Sequence, residues 1–484
     1  MARVRAAEHR LLTRAPQSAL MRRAAFGLAT RVAAALAERT GGVSGRHVAL
    51  LVGAGNNGGD TLWAGAYLRR RGVVVTAVLL SPDRAHPEGL AALRRAGGRI
   101  AERLPERLHL VLDGIVGLSG RGALRPVAAQ LVAAVRVPII AVDLPSGVDP
   151  DTGTADGPAV TATETVTFGA RKPVHLLAPW RCGPVHLVDI GLLDELGEPD
   201  LRVLSAAEIG ARWPVPGPTS DKYTQGVVGI AAGSADYPGA AVLCAGAAVL
   251  ATSGMVRFAG EAADVVRGRW PEVVATGSVS DAGQVQAWAV GPGLGTGAAA
   301  RQVLAHVLAA GVPVVADADA ITLLARHPEL ADSRDPGTPL VLTPHDREYE
   351  RLTGKPPGPD RVKAALDAAR RFDAVLLLKG HTTIVAAPDG LVLVNPARSS
   401  WPATAGSGDV LTGVLGALLA AGLEPVIAAA AAVHAQELAA ALAAAPDGEG
   451  SGAPAPASAI QAALSDAIRA LRSAAHRLGD TESG

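Results

Sequence analysis

Two sets of segments hold most of the residues in this 484-residue chain whose types and spacing could do chemistry. The first is GAGNNGGDTL, from Gly53 to Leu62, directly after the apolar run Val48-Ala49-Leu50-Leu51-Val52. A plain turn needs one or two small or amide residues, whereas residues 53–59 consist almost wholly of them and are followed by an acid, Asp60. Glycines let backbone approach a ligand, and successive N–H groups at a helix start form an anion nest, so the loop is shaped to hold phosphate. Its amide and carboxylate oxygens are hard ligands suited to an alkali or alkaline-earth cation, unlike the nitrogen and sulfur sets that hold zinc. Two further apolar runs end in acids, Asp113 in LVLDGIVGLSGRG and Asp143 in IIAVDLPSGVD. Alone, a glycine loop reads as a turn and a strand-end Asp as a helix cap. Three such features closing three strands of one sheet point to a ligand site beyond the carboxyl edge.

The second set lies in the other half: GPGLG (residues 291–295), TPHDREY (343–349), KGHTT (379–383) and AGSGDVLTG (405–413). Gly406, Ser407 and Gly408 precede apolar residues at helical spacing: Val410, Leu411, Val414, Leu415, Leu418 and Leu419. Helix-start N–H groups in that loop would face a transferring phosphoryl group. Asp409 beside them could take the proton from an attacking hydroxyl. A cap followed by a helix is the plain alternative for such a segment, and KGHTT closing another strand argues against it.

The elements that must position these residues form two α/β series. Strand-like runs at 48–52, 73–80, 108–112, 137–142 and 165–168 alternate with helical stretches such as 62–71, with Gly72 as its C′ residue. The pattern lapses around residues 197–200 and a proline-bearing stretch runs to Pro218. A second series follows at 227–231, 285–290, 312–316, 340–342, 375–378, 384–386 and 391–394, then helices from Val410. Residues 446–456 read as a flexible loop before a last amphipathic helix over 459–478. The alternation predicts mostly parallel sheets covered on both faces. The length calls for two or three domains. Hydrophobic residues at 49% and charged ones at 19% suit a compact globular chain. Forty-five basic residues balance forty-five acidic ones, giving no general reason to bind nucleic acid or an anionic membrane. Cys182 and Cys244 lack the spacing of a disulfide framework or a zinc site. The N-terminus has no apolar signal region, and 410–445 reads as alanine-rich core helices instead of a membrane span. A cytoplasmic enzyme with no nucleic-acid or membrane partner is expected.

GAGNNGGD, DGIVGLSGRG, DLPSGVDPDTG and TVTFGARKP, in that order, resemble the NAD(P)H-hydrate (NAD(P)HX) epimerase domain, with MRRAAFGLA (21–29) similar to its N-terminal helix. The resemblance implies a Rossmann-like three-layer α/β domain over residues 1–198. It implies potassium held by Asn57, Asp113 and Ser146. It implies substrate held by Asn56, Asn57, Gly58, Gly59 and Asp60, by Gly117, Leu118, Ser119, Gly120, Arg121, Gly122 and Ala123, and by Asp143, which is also expected to be catalytic. Thr61 stands where that family usually has glycine and adds a side chain at the helix start without touching the expected ligands.

DKYTQG, AGSADYPGAA, GPGLG, TPHDRE, KGHTT and AGSGD resemble the NAD(P)H-hydrate dehydratases of the ribokinase-like superfamily, over nearly all of residues 201–480. A ribokinase-like domain over 201–484 follows. In it Lys379, Gly380, His381, Thr382, Thr383 and Gly408 would hold an adenine nucleotide. Ala240, Gly293, His345 and Asp409 would face the hydrated nicotinamide, with Asp409 catalytic. Asp221 replaces the family's usual histidine. The two resemblances together imply a bifunctional repair enzyme, assembled as a homo-oligomer, whose partners are NADHX, NADPHX and ADP. Potassium would serve the first domain and Mg2+ the second. The alternative is a ribokinase-type small-molecule kinase carrying a non-catalytic nucleotide-binding N-terminal domain.

Overall fold

The computed structural model describes all residues except 15, 119, 398, 447–451 and 483–484, and side chains up to residue 477. Among the expected site residues Ser119 therefore lies outside the described residues, as does much of the expected loop at 446–456. The chain divides into two compact units, Met1–Pro199 and Asp200–Gly484.

Unit 1 is built on a seven-stranded parallel sheet in the order β3-β2-β1-β4-β5-β6-β7. The strands are β1 (His47–Val52), β2 (Val74–Leu79), β3 (Arg99–Ala101), β4 (Leu110–Gly114), β5 (Ile139–Val142), β6 (Glu164–Phe168) and β7 (Val185–Val188). Alternation of side chains along β1 sends Val48, Leu50 and Val52 into one apolar cluster with the helices Gln17–Thr40 and Asn56–Arg70. Ala49 and Leu51 enter a second cluster on the other face. This three-layer α/β arrangement is why the central strands read as unbroken apolar runs.

Unit 2 has nine strands: β8 (Val227–Ala231), β9 (Met255–Ala259), β10 (Val274–Thr276), β11 (Ala287–Val290), β12 (Val314–Ala316), β13 (Leu340–Leu342), β14 (Val375–Leu378), β15 (Thr382–Ala386) and β16 (Val392–Pro396). Their order is β10-β9-β8-β11-β12-β13-β14-β15-β16, with β15 and β16 antiparallel additions to a parallel sheet. The alanine-rich helix Pro425–Ala444 is long and apolar enough to cross a bilayer, but most of it is buried inside this unit. The expected last helix is divided, Ala457–Ala462 and Leu464–Glu482.

Two helix starts differ from the sequence expectation. The helix expected from Leu62 begins at Asn56, so Asn56 to Asp60 form its first turn. Ser407 and Gly408 likewise open the helix Ser407–Ala420 instead of preceding it, with Gly406 as N-cap at φ +84°. In both, the unsatisfied N–H groups of the first turn belong to the residues once assigned to a loop.

Candidate active sites

In unit 1 the strand order reverses between β1 and β4, and the two strand ends meet. The Gly53 N–H donates to Gly114 O at 3.0 Å, and a Cβ on Gly53 would stand 1.8 Å from Ile115 O, so no side chain fits there. A cavity of about 470 Å³ opens beside this junction, lined by Gly55, Asn56, Asn57, Asp60, Gly117, Leu118 and Asp143, and by Arg5 and Glu8 of the helix Ala2–Leu12. Gly120 to Ala123 line a neighbouring cavity instead, so the expected glycine-rich substrate segment serves two walls.

Asp143 follows β5 at φ +71°, a left-handed conformation that few residues but Asp and Asn tolerate. Its Oδ1 accepts from Lys172 Nζ at 2.6 Å and from Thr167 Oγ1 at 2.9 Å. Lys172 is almost wholly buried and also donates to Thr167 Oγ1 and to Phe168 O, which uses its three protons. His175 Nδ1 accepts from Lys172 N, so Nε2 carries the proton and donates to Asp143 O at 2.9 Å. Burial, then the nearby Lys172 charge, holds this imidazole down to about 4, so it is neutral. Asp143 Oδ2 has no hydrogen-bond partner among the described residues and is the face left for a ligand. Asp60 is raised well above the ordinary carboxylate range by burial first and then by Asp143 and Glu8. Glu8 is raised too, chiefly by burial. One wall therefore offers a carboxyl that burial favours in its neutral form and another a lysine-bound carboxylate.

Asp113 is fully buried. Its Oδ1 accepts from Ser146 Oγ at 2.7 Å and from Ile115 N, and its Oδ2 accepts from Ser146 N at 2.8 Å. Burial pushes it up to about 6 despite the Ser146 bonds. Asn57 is buried alongside Gly117, and its Nδ2 has no partner among the described residues. An orphaned amide, a carboxylate and a hydroxyl are donor types that fit a hard monovalent cation: turning the amide over, a choice of assignment, offers Oδ1 instead.

In unit 2 the ends of β12, β13 and β14 deliver Asp317, Thr343 and Lys379 to one point. Asp317 Oδ1 accepts from Lys379 Nζ at 2.8 Å and from Thr343 Oγ1 at 2.7 Å, while Oδ2 accepts from Thr412 Oγ1 at 2.8 Å. Burial disfavours the Asp317 charge, but Lys379 outweighs it and holds the carboxyl low. The following residue, Ala318, takes φ +51°, a strained conformation for alanine. A Cβ on Gly291, the first glycine of GPGLG, would stand 2.0 Å from Asp317 O, which explains glycine there. Lys379 also lies 3.7 Å from Glu348 Oε2. His345 Nδ1 accepts from Arg347 N and Glu348 N and caps the helix Asp346–Thr353.

A cavity of about 790 Å³ collects His345, Lys379, Gly380, His381, Thr383 and Gly408. Its lining does not include Thr382, Asp409, Ala240 or Gly293. The last two adjoin each other, since a Cβ on Gly293 would lie 2.9 Å from Ala240 Cβ. The Gly408 backbone abuts the ion pair, with its Cβ position 3.7 Å from both Asp317 Oδ2 and Lys379 Nζ. Asp409, one residue on, is raised to about 7 by burial first, then by the Asp317 charge, with Lys379 opposing. Asp221, at the departure from the expected histidine, caps a surface turn by accepting from Tyr223 N and Thr224 N.

Four site residues escaped the sequence reading: Asp317, Lys172, Glu8 and Glu348. Asp317 ends an expected strand, the same signal that singled out Asp113 and Asp143. Lys172 and Glu348 lay inside quoted motifs without a role, and Glu8 carried no signal.

Comparison with known proteins now adds to this geometry. A family profile for NAD(P)H-hydrate dehydratase matches residues 228–461, and one for the YjeF-related protein N-terminus matches residues 17–174. The bifunctional NAD(P)H-hydrate repair enzyme of Mycobacterium tuberculosis (strain CDC 1551 / Oshkosh) is 56% identical over 430 residues, 88% of this chain and 90% of that one. This chain belongs to the bifunctional NAD(P)H-hydrate repair enzymes. The Escherichia coli (strain K12) member is 34% identical over 82% of this chain and 80% of its own. A solved ribokinase-like superfamily protein from Enterococcus faecalis V583 covers 57% of this chain and 98% of its own, at 23% identity and a TM-score of 0.50, a likeness of fold. The family places the bifunctional reading ahead of the small-molecule kinase.

Proposed function

We propose that unit 1 interconverts the R and S hydrates of NADH and NADPH, and that unit 2 dehydrates the S form at the expense of ADP, giving AMP and phosphate. The observation that supports this best is the pair of differently tuned carboxyl sites, one in each unit, in a family whose members are named bifunctional NAD(P)H-hydrate repair enzymes.

In unit 1, exchange at C6 needs a group that protonates the departing hydroxyl while the ring-nitrogen lone pair fills the bond. It then needs a group that takes a proton from water returning to the other face. Asp60, whose neutral form burial favours, suits the first role, and the free Oδ2 of Asp143 the second. Asn57, Asp113 and Ser146 would hold potassium, which would supply fixed positive charge beside the loop.

In unit 2, hydroxide is a poor leaving group and phosphate a good one. Asp409 would accept the proton of the C6 hydroxyl as its oxygen takes a phosphoryl group, with the N–H groups of the first helical turn facing the transferred oxygens. Lys379 and Thr383 would meet the nucleotide phosphates. Mg2+ would be held mainly through those phosphates, which suits a cavity whose carboxylates among the described residues are Asp346 and Glu437.

The test is R/S exchange, followed chromatographically without nucleotide. Asp143→Ala should stop it and Asp409→Asn should leave it intact. Loss of exchange in folded Asp409→Asn overturns the separation of sites.

A further inference from the structure

The cavity that shares Ala54 with the epimerase cavity is walled in part by Gly120 to Ala123 of the expected substrate segment, and no part of the substrate has been assigned to it. It measures about 710 Å³ and lies across the Gly53–Ile115 junction. Its ionisable lining differs from that of its neighbour. The epimerase cavity is lined by Glu8, Asp60 and Asp143, with Arg5 as its cationic wall. Among the described residues the second is lined by Arg84, Arg121 and Arg125 and by no carboxylate. Arg121 is engaged, 3.5 Å from Asp149 and 3.7 Å from Asp151. Arg84 and Arg125 are exposed and have no carboxylate partner among the described residues.

A dinucleotide is two mononucleotides joined by a pyrophosphate, and each cavity has a size that accommodates one such half. The helix Asn56–Arg70 begins two residues after Ala54, which both cavities share, and its free N–H groups favour the pyrophosphate. Asp60 and Asp143 mark the first cavity as the side of the reacting ring, so the arginine-lined side is left for the adenosine end. A second observation agrees. In dinucleotide-binding α/β sites the segment after the second strand reads the adenosine ribose, with an acid for a free 2′-hydroxyl and an arginine for a 2′-phosphate. Here β2 runs into Leu80, Ser81 and Arg84, all of which line the cavity, while the intervening Asp83 does not.

We infer that this cavity receives the adenosine half of the hydrated dinucleotide, and that Arg84 and Arg125 bind the 2′-phosphate that distinguishes NADPHX from NADHX. The inference rests on the epimerase reading of unit 1. Guanidinium groups can meet phosphate oxygens with paired hydrogen bonds, which a 2′-hydroxyl cannot reciprocate as an anion.

The experiment compares wild type with Arg84→Ala/Arg125→Ala for R/S exchange of both hydrates, and adds adenosine 2′,5′-bisphosphate as a competitor. Both arginines are surface side chains, so folding should be retained and circular dichroism checks it. The expected result is a KM for NADPHX raised roughly tenfold or more, with kcat held and NADHX changed by less than about twofold. The bisphosphate should lose inhibition in step. Equal changes for both hydrates, or none, overturn the assignment. Calorimetric binding of the bisphosphate, with and without the double substitution, tests the cavity independently of turnover. Absence of exchange in the wild type with either hydrate would instead remove the epimerase reading.

Discussion

The Lys379 ammonium lies 2.8 Å from Asp317 Oδ1, and the Gly408 backbone abuts both groups. The lysine expected to meet a nucleotide is thus already held by a buried acid, which also sets the field at Asp409. Both consequences can be measured.

Asp409 must be ionised to accept a proton. With its carboxyl raised to about 7, dehydration of S hydrate should climb with pH through about 7 and level off above. Asp317→Asn removes a neighbouring negative charge that stabilises the protonated form. The Asp409 carboxyl then falls, and the acid limb of the profile should move to lower pH. Lys379, which faces Asp409 from β14, would also be released and would push the same way. An acid limb left in place excludes Asp317 as the residue that tunes Asp409.

Lys379→Ala should weaken nucleotide use and also stability, because it leaves Asp317 buried with only two hydroxyl donors. Removing one partner of a buried pair costs about 3–5 kcal/mol. Adding Asp317→Asn should recover part of the stability but not the nucleotide KM. Unfolding of unit 2, recognised by its response to ADP, measures the first. Steady-state titration of nucleotide measures the second.

Asp113→Ala should impair epimerisation and remove its dependence on potassium, while dehydration of pure S hydrate stays near normal. Ser146→Ala should do the same more mildly, because Ser146 N still donates to Asp113 Oδ2. Exchange assayed in potassium against a large organic cation would show it. Loss of both activities in a folded variant contradicts separate sites.

Lys172→Met keeps much of the side-chain volume and removes the charge that holds Asp143 Oδ1. R/S exchange should fall by about 10²–10⁴-fold, the range for a lost proton-transfer arrangement, with dehydration unchanged. Near-normal exchange would leave Lys172 a purely structural residue.

The legible parts of the sequence were those that obey one-dimensional rules. Runs such as 48–52 and 227–231 matched their strands closely because a central parallel strand is buried on both faces. Edge or interrupted strands escaped. β3 is exposed and three residues long, β7 carries His186, and β9 carries Arg257, so none shows an unbroken apolar run. The helix starts at Asn56 and Ser407 were placed late because small polar residues read as loop until a ligand-facing first turn is considered. Asp317 was missed although it follows an expected strand, because no motif around it drew attention. Glu8 reaches the cavity only through the docking of its helix, with Arg5 donating to Leu118 O and the Met1 ammonium to Asp151. That tertiary placement has no local signature.

The central claim is tested most directly by incubating the pure protein with a mixed R/S hydrate and ADP and following the absorbance of reduced nicotinamide. Wild type should restore absorbance from both epimers. Asp143→Ala should stop once the S fraction is spent. Asp409→Asn keeps the shape of the carboxylate without its basicity and should lower the rate by about 10²–10⁴-fold, with epimerisation intact. No nucleotide-dependent recovery of absorbance in the wild type, or normal recovery in Asp409→Asn, would contradict the account.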